Sequence, residues 1–446
     1  MILKMINVKI DLIEKNLKAK NIKEYEIFFV EKEIYETIFL KNKPETEREV
    51  EDFEYFIRVL TQKGDQTGVG VVKGNSLDSK EINKNIDTCY LLSKNNISSR
   101  YQFPEEKPIS STVIADKAIL KDPIGTKNDL CEELMSLVED QKNVVPTFGR
   151  LRVHINNNYL RNSNGVNLDS IKTFFYLEHS LKAQGNGKLS EYWTSEYFKE
   201  KEHLHFEERI ENWAQITKDT LIAELPKPNK EAIVIFPPHV LREAIIPVIG
   251  FHALGQAFNE KVSAFNINDE VASNEITIID DGLLEGGLKS NSWDGEGNPH
   301  QKTEVIKNGI FQKRLYDQKY AILNNVEPTG NGIRRVTGSV NNGVSNFQII
   351  PGSMSLDDII SDIKEGYYIE KFSWLSPDEL SGFFGAEIRN GYYVKNGEFK
   401  NPLKLGNVNG NVLEMIKNCR SVSKEREFSS NSLFPYMVFS DLNISV

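Results

Sequence analysis

The chain has 446 residues, more than one compact core usually covers, so we expect two or three domains. Hydrophobic residues make up 39% and charged residues 26%, as in soluble globular proteins, and no run of about 18 apolar residues is present that would cross a membrane. The net charge is −10 with acidic and basic residues interleaved, which argues against a nucleic-acid-binding protein, since no basic patch is visible.

The cysteines and the N-terminal sequence indicate a compartment. Cys89, Cys131 and Cys419 are few, odd in number and far apart, which favours reduced thiols over a disulfide framework. The start of the chain shows no apolar segment followed by small residues at a cleavage site. We therefore expect a cytoplasmic protein that neither enters a membrane nor contacts nucleic acid.

Helices and strands alternate in the first part of the chain. Apolar residues at helical spacing predict a helix from Ile6 to Ala19. Residues 24–43 then alternate like two strands, and 52–74 like a strand pair turning at Lys63-Gly64-Asp65. Residues 76–95 predict a helix capped by Ser76 or Asp78.

A proline-rich segment, 103–125, interrupts this pattern and is typical of a linker. A helix is predicted over 128–142 and another over 205–225. Between them, residues 150–185 are strand-rich, with turns expected at Asn158 and at Asn164-Gly165. The Pro-Lys-Pro-Asn-Lys stretch at 226–230 is the main predicted domain boundary.

The remainder of the chain predicts a buried strand, an apolar helix and many hairpins. The strand is 231–238, the apolar helix is 239–258, and Ser355 caps a short helix that ends before Gly366. We predict an α+β fold in which an N-terminal α/β region with a mixed sheet precedes a β-rich C-terminal domain with antiparallel sheets. The expected divisions are 1–105, a central strand-rich region 106–225 that continues the N-terminal half, and 226–446.

A glycine-rich segment, 280–309, raises the question of a binding site. Its Asp294-Gly295-Glu296-Gly297 run lacks the alternating oxygen ligands and the distal glutamate of a calcium loop. No Gly-Lys-Ser/Thr follows at helix-start spacing, so it is not a phosphate loop. We expect a turn between strands, in which glycine permits positive φ and close backbone approach.

The segments around this turn, together with later hairpins, resemble the TldD/PmbA family. The resemblance covers most of the chain, is specific in the second half and is looser in the first. The matching segments are Asp280–Gly282, Ser292–Gly297, Gln301–Thr303, Asn308-Gly309, Tyr316-Asp317, Thr329–Asn331, the hairpin region 392–415, and Leu160–Val166.

This resemblance implies a dimer in which one subunit type is a zinc peptidase and the other is a related, non-catalytic chain. The catalytic type carries His-Glu-x-x-x-His on a helix and a distant cysteine as third ligand. Three protein ligands leave one zinc position open for a water, and a glutamate can take its proton.

Measured against that motif, the chain lacks the zinc ligands. His252 is present on the apolar helix, but Ala253 follows it and Gln256 stands four residues on. The closing segment has Ser429 and Ser430 where the catalytic type has its cysteine, and Cys419 lies too early. We therefore expect no catalytic residue, no metal and no cofactor in this chain, with zinc in the catalytic partner.

Two histidine groups leave an alternative open. A lone His252 on an apolar helix is more often a packed histidine than a ligand. His203 and His205 would share a face if they lay on a strand, yet such a pair at a helix start is more often solvated. A self-sufficient metallopeptidase with substituted ligands would have to draw on these three residues.

The resemblance also implies a peptide cleft, which is buried between subunits. An extended peptide can bind to a sheet edge through backbone hydrogen bonds. The polar residues that we predict to bind peptide in the matching region are Ser292, Asp294, Thr329, Asn331 and Arg334. Arg334 could instead form a structural salt bridge.

The predicted function is that of a PmbA-like (TldE-like) subunit that holds extended or unfolded polypeptide in a chamber shared with a zinc-bearing partner. A homodimeric peptide-binding protein without protease activity is the further alternative, since the apolar helix and the sheets offer ample surface for self-association.

Overall fold

The computed structural model describes residues 2–185 and 187–446, and the side chains of 9–185 and 187–446. Two sheets dominate the molecule. Strands from 25–198 form the first sheet, strands from 229–445 form the second, and the helices pack against them. The α+β class predicted from the sequence is confirmed.

The described residues of the N-terminal half form a seven-stranded sheet in the order β4-β3-β2-β1-β5-β6-β7. Its neighbouring strands run antiparallel wherever they are described. Tight turns join the long strands, as at Gly64, whose φ of +62° is favourable only for glycine and a few other residues. The strands are β1 (Tyr25–Leu40), β2 (Lys43–Lys63), β3 (Gln66–Gly74), β4 (Ile97–Ser98), β5 (Val145–Asn162), β6 (Asn167–Gly185) and β7 (Lys188–Phe198).

Helices cover one face of this sheet. Ile13, Phe29, Ile57 and Ile86 lie in one buried cluster, and a second cluster joins helix residues such as Leu134 to strands β5 to β7. Asp78 caps its helix by accepting hydrogen bonds from the backbone N–H of Lys80 and Glu81. The helices are α1 (Ile2–Ala19), α2 (Ser79–Asn95), α3 (Lys117–Lys121), α4 (Pro123–Glu139) and α5 (Phe206–Asp219), with a 3₁₀ turn at Lys201–Leu204.

Residues 229–446, all of them described, form an eleven-stranded sheet that closes partly on itself. Its strands are β8 (Asn229–Phe236), β9 (Ile278–Asp281), β10 (Lys302–Lys307), β11 (Ile310–Phe311), β14 (Phe347–Ile349), β15 (Glu365–Phe372), β16 (Phe383–Lys395), β17 (Glu398–Leu403), β18 (Asn407–Asn411), β19 (Cys419–Ser429) and β20 (Ser432–Ser445). The strands β12 (Gly332–Arg334) and β13 (Val340–Asn342) form a separate pair. Strand β8 pairs with β15 on one side and with β20 on the other, which completes a ring through β16 and β18.

The apolar helix predicted over 239–258 is interrupted. It runs as α6 (Pro238–Ile245), a π-helical segment at Ile246–Gly250 that contains Pro247, and α7 (Phe251–Ala253). Leu254 is extended, and α8 (Gly255–Asn259) follows. Pro247 has no N–H for the helical ladder, so a local change of helical pitch is expected beside it. The remaining helices are α9 (Gln318–Asn324), α10 (Leu356–Ser361) and α11 (Val412–Lys417).

Some details differ from the sequence-based expectations. The N-terminal sheet is antiparallel where a mixed sheet was expected. The series β1-β2-β3 and β5-β6-β7 pair antiparallel in chain order, and β1 and β5 join the two series in an antiparallel pair. Parallel pairs occur instead in the C-terminal sheet, between β14 and β20 and between β8 and β15. Where two strands were predicted over 24–43, the structure has the single long strand β1 followed by the turn into β2, and Asn158 lies within β5 rather than at a turn.

Gly366 was expected just after the short helix that Ser355 caps. It lies inside β15 instead, and not just after α10. The predicted division of the chain into domains after residues 105 and 225 stays a prediction. Within the described part of the chain, no helix is long and apolar enough to cross a membrane.

Candidate functional site

The glycine-rich segment begins at a buried carboxylate, Asp280, at the end of β9. One oxygen of Asp280 accepts a hydrogen bond from the Ser345 backbone N–H at 2.8 Å. The other oxygen accepts from Asn331 Nδ2 at 2.7 Å and from the Ser345 hydroxyl at 2.8 Å. Burial raises the pKa of Asp280 to about 6. The hydrogen bonds favour the charged form and partly oppose this rise. Asp280 therefore joins β9 to the Asn331 loop and to the segment before β14.

The Asp-Gly-Glu-Gly run is a closed turn held by Asp294. Its Oδ1 accepts hydrogen bonds from the backbone N–H of Glu296 and of Asn298, at 2.9 and 3.0 Å. Its Oδ2 accepts from the Gly332 N–H at 2.8 Å. A side chain at Gly332 would meet both carboxylates, since an added Cβ would lie 2.9 Å from Asp294 and from Glu296. The turn predicted from the sequence is present, and its aspartate is used internally.

Glu296 connects this turn to the N-terminal half. Its Oε1 accepts a hydrogen bond from the Tyr101 hydroxyl at 2.6 Å and lies 3.5 Å from the Arg58 guanidinium. Its other oxygen accepts from the Gln318 N–H at 2.9 Å. Arg58 also lies 3.4 Å from Glu26, and the three ionised side chains are almost inaccessible to solvent. The group Glu26, Arg58, Tyr101 and Glu296, which we call the junction network, therefore joins the two halves of the chain.

Arg334 is the fifth member of the junction network. Its guanidinium lies 2.5 Å from Glu26, donates hydrogen bonds to the Gly295 carbonyl, and stacks 4.4 Å from the Phe28 ring centroid. The Arg334 side chain is 7% exposed. Of the two roles considered for Arg334, the salt bridge is therefore the one that this structure contains, and it lies at the junction rather than on the surface.

The five residues predicted to bind peptide fall in one region. Thr329 Oγ1 lies 2.6 Å from Asn331 Oδ1, Asn331 bonds to Asp280, and Arg334 contacts the turn that Asp294 holds. Ser292 is half-buried at a bend two residues before Asp294. Asp294 and Asn331 are buried with intramolecular partners, while Thr329 lines a surface cavity. Their assignment to peptide binding stays a prediction.

His252 is a packed histidine on α7. Its Nδ1 accepts a hydrogen bond from the Ala264 N–H at 3.0 Å, and its Nε2 lies 3.1 Å from the Leu380 carbonyl, to which it donates. The ring is fully buried, and burial lowers its pKa. Both nitrogens are thus occupied without a metal. The two histidines of His-Glu-x-x-x-His are five residues apart, so the position to compare is Ala257 rather than Gln256, which stands four residues on. Ala257, and Pro247 five residues before His252, have no ligand atoms.

His203 and His205 do not share a strand face. His203 lies in the 3₁₀ turn and stacks against Phe428 with ring centroids 4.2 Å apart. His205 has left-handed backbone angles, with φ of +41°, at the start of α5. The turn directs the two side chains differently because its residues do not alternate as in a strand. Burial lowers the pKa of His203 to about 4.

The serines that replace the expected cysteine lie in the tight turn between β19 and β20. Ser429 is buried, and its carbonyl accepts a hydrogen bond from the Ser432 hydroxyl at 2.8 Å. Cys419 is buried at the opposite end of β19. In the described residues, no three His, Cys, Asp or Glu side chains are arranged to hold a metal ion.

Sequence reasoning missed an aromatic surface on the N-terminal sheet. Phe175 and Leu177 of β6 face the helices, so the alternating Phe174 and Tyr176 face the other way. His154 stacks on Phe174 at 4.4 Å, and Tyr176 lies 4.8 Å from Tyr197. Together with Trp193 of β7, these side chains form what we call the open face, whose members are His154, Phe174, Tyr176, Trp193 and Tyr197.

The open face is accessible and charged at its border. Trp193 is 47% exposed and Tyr197 is 40% exposed. Arg152 lies 5.3 Å from the centre of the Tyr176 ring, and the Trp193 indole donates to Glu178. Successive residues of a strand point to opposite faces, and aromatic residues follow one another along β6, so both of its faces carry aromatic rings. This run of aromatic residues was the sequence signal that could have revealed the surface.

Comparison with known proteins identifies the C-terminal half. Residues 229–446 match the PmbA/TldA metallopeptidase C-terminal domain. A metalloprotease TldD homologue of Buchnera aphidicola is 33% identical over 249 residues, which are 54% of this chain and 50% of that protein. A metalloprotease of Methanocaldococcus jannaschii is 26% identical over 84% of this chain and 83% of its own.

Residues 229–446 belong to the TldD/PmbA family. The matched region spans about half the length of the Buchnera relative. Among solved structures, TldE from Thermococcus kodakarensis superposes with a TM-score of 0.86 at 22% identity, covering 98% of this chain and 99% of that one. A protein of Thermotoga maritima described as a putative modulator of a DNA gyrase gives a TM-score of 0.83 at 19% identity, over 99% and 100% of the two chains. These two likenesses show that the family's fold extends over the whole chain.

Proposed function

We propose that this TldD/PmbA-family chain is a non-catalytic, TldE-like subunit of a metallopeptidase complex. It pairs with a zinc-bearing, TldD-like subunit and holds extended or unfolded polypeptide in a chamber that the two share. The proposal rests on relatives that are named metalloproteases, on a fold like that of TldE, and on the chemistry at His252.

The state of His252 is the observation that carries the proposal. A catalytic zinc needs three protein ligands and one open position for water. His252 has both nitrogens in hydrogen bonds to the backbone, at Ala264 and Leu380, and the residues five positions away, Pro247 and Ala257, have no donor atom. Binding zinc at His252 would break a buried hydrogen bond and still leave the ion short of ligands. The zinc is therefore a cofactor of the partner.

The open face is the surface that we assign to the polypeptide. Aromatic rings offer large apolar contact area, and exposed apolar clusters of this kind mark interaction sites. Rings at Trp193 and Tyr197 would pack on the apolar side chains that an unfolded chain exposes, without reading its sequence. Of the polar residues predicted to bind peptide, Ser292 and Thr329 are half-buried and could contact it, whereas Asp294, Asn331 and Arg334 are buried and would hold the neighbouring turns in place.

The proposed compartment is the cytoplasm. The structure describes all three cysteines as free and buried. Burial raises the pKa of Cys89 and of Cys419 to about 12, so both thiols stay protonated and unreactive at neutral pH. Such thiols fit a reducing compartment.

The test is co-expression with a TldD-like homologue that carries His-Glu-x-x-x-His. We expect a mixed dimer with zinc only in the partner, and cleavage of an unfolded polypeptide that requires both chains. Zinc that stays bound stoichiometrically to the isolated chain after dialysis, with peptidase activity, would establish a self-sufficient enzyme instead. Persistent self-association with no effect on the partner's activity would indicate a homodimeric binding protein.

A pair of matched variants tests the open face in the same complex. Tyr197→Ala removes a ring that is 40% exposed on the open face, and Tyr90→Ala removes one that is 39% exposed on α2, on the helix side of the sheet. We expect Tyr197→Ala to weaken binding of an unfolded polypeptide several-fold, because one aromatic contact is worth about 1 kcal/mol. Tyr90→Ala should leave binding unchanged. Equal effects would contradict the assignment of the open face.

A further inference from the structure

A surface cavity of about 480 Å³ lies beside α8, away from the junction network. Its volume is within the range of small-molecule sites, about 300–1,000 Å³. It lies between the end of α8, the segment after β11 and the loop after α9. Its lining includes Phe258, Ile267, Lys313, Arg314, Val326 and Glu327.

Three large apolar side chains at this cavity are exposed. Phe258 is 44% exposed, Ile267 is 47% exposed and Val326 is 45% exposed. Single exposed apolar residues are ordinary, but three around one concavity form a patch from which a ligand would exclude water. The wall of the cavity therefore fits an apolar group.

The base of the cavity carries a buried cation whose hydrogen-bond acceptors are all uncharged. Arg314 is 5% exposed and donates to the carbonyls of His252 and Phe265 and to the Ser263 hydroxyl. Burial lowers the pKa of Arg314, and the charges of Tyr316 and Asp269 oppose this shift.

The guanidinium is also fixed in place. It stacks 4.2 Å from the Phe258 ring centroid and 5.1 Å from that of Phe311. A guanidinium has five N–H donors, and three are used by the acceptors named above, so two remain for a ligand. Such a rigid donor group binds a carboxylate with little loss of conformational freedom.

The other charged groups of the lining favour an anion as well. Lys313 is exposed beside Arg314. Glu327 is the acidic residue of the lining, and it lies 2.7 Å from Lys107, which compensates its charge. The cavity therefore combines an apolar wall with net positive charge.

We propose that this cavity binds a carboxylate that is attached to an apolar group, as at the C-terminal residue of a peptide ending in leucine or phenylalanine. The side chain packs among Phe258, Ile267 and Val326, and the carboxylate pairs with Arg314 and Lys313. The site goes beyond the proposed subunit function, because the isolated chain would bind such a ligand without a partner.

The experiment titrates the full-length chain with three probes by calorimetry: N-acetyl-Gly-Leu with a free carboxylate, the same dipeptide as its C-terminal amide, and hexanoate. We expect the free acid to bind at least about tenfold more tightly than the amide, the loss expected when one buried charged group is left without its partner. Tight hexanoate binding supports the same site for free acids, and its absence assigns the site to peptide ends. Equal affinity for acid and amide, or no binding of either, overturns the proposal.

Variants locate the binding in the cavity without disturbing the buried arginine. Val326→Glu places a carboxylate in the apolar wall, and Lys313→Glu reverses an exposed charge; both should weaken binding of the acid at least several-fold. Lys302→Glu reverses an exposed charge on β10, outside the lining, and should not change it. If Val326→Glu instead abolishes association with a second subunit while the wild type binds no acid, the surface is a subunit interface and the proposal fails.

Discussion

The two sheets of this protein are stabilised in different ways. In the N-terminal sheet, long neighbouring strands pair antiparallel over many residues, as β1 pairs with β2 from Tyr25 to Leu40. In the C-terminal sheet, several strands are two to four residues long, and side chains such as Asp280 and Asp294 make hydrogen bonds that the ladders do not supply. The first sheet is held by long strand ladders, including the non-local pair of β1 with β5, while the second also depends on buried polar contacts between segments far apart in sequence.

This difference indicates that the charged groups of the junction network, although few, contribute strongly to the stability of the folded chain. Glu26 and Arg58 come from the N-terminal sheet, and Glu296 and Arg334 come from the C-terminal half. Because all four side chains are nearly inaccessible, each charge depends on its partners for solvation. The predictions below test this contrast, beginning with the largest expected effect.

Arg58→Ala should give the largest loss of stability. The substitution leaves Glu26 and Glu296 without their shared cation, and breaking a buried ion pair from one side costs about 3–5 kcal/mol. Urea unfolding of the whole chain measures the change. Lys20→Ala is the control, because Lys20 pairs with a largely exposed Asp87 and should contribute less than about 1 kcal/mol. Similar losses for the two variants would contradict the central role of the junction network.

Buried carboxylates of the C-terminal half should make stability fall as pH rises. Burial, and then the charge of Glu296, raise the pKa of Asp294 and of Asp317, while the pKa of Asp280 rises to about 6. Since the folded state holds these protons more tightly than the unfolded state, their contribution is complete below about pH 4. It is lost as pH rises through about 6 and beyond.

Asp317→Asn sharpens this test. Asparagine can still accept the Tyr320 N–H at the start of α9, which Asp317 Oδ1 accepts at 2.8 Å, but it removes one repelling charge. We expect the variant to melt at a higher temperature than the wild type at pH 8 and to differ less at pH 5. Asp65→Asn, at the exposed turn between β2 and β3, should show no such pH-dependent difference. A difference between the variant and the wild type that is no larger at pH 8 than at pH 5 would contradict the prediction.

Asp78→Ala should have the smallest effect of the series, because it changes only the local structure of the N-terminal half. The substitution removes the acceptor for the first N–H groups of α2, which costs about 1 kcal/mol. Asp78→Asn keeps an acceptor at the same position and should restore most of the loss in urea unfolding. If alanine and asparagine are equally destabilising, the side chain does not act as a cap.

Local patterns allowed much of the fold to be predicted. The helix over 76–95 with its Asp78 cap, the turn at Gly64 and the hairpin at Asn308-Gly309 each depend on a few neighbouring residues. The single strand β1 was predicted as two because its middle residues, such as Glu33, look polar. They pair with β2 and β5 on both sides, and this pairing is decided by distant segments.

The candidate site was predictable in position but not in contacts. Glycine and aspartate spacing located the turn at Asp294, yet nothing in the spacing indicated that Glu26, 308 residues before Arg334, would meet it. The open face was missed because its aromatic residues look like ordinary strand residues until the helices are known to occupy the other face.

By itself, the amino-acid sequence determined that the chain lacks a zinc-binding His-Glu-x-x-x-His helix, because the ligand atoms are either encoded or absent. Only the tertiary structure decided how His252 is used, with its two nitrogens bonded to Ala264 and Leu380. It likewise decided which charges meet at the junction network and which sheet face stays open. The reason is physical: hydrogen bonds, ion pairs and burial depend on distances between segments, and those distances exist only after the two sheets have formed.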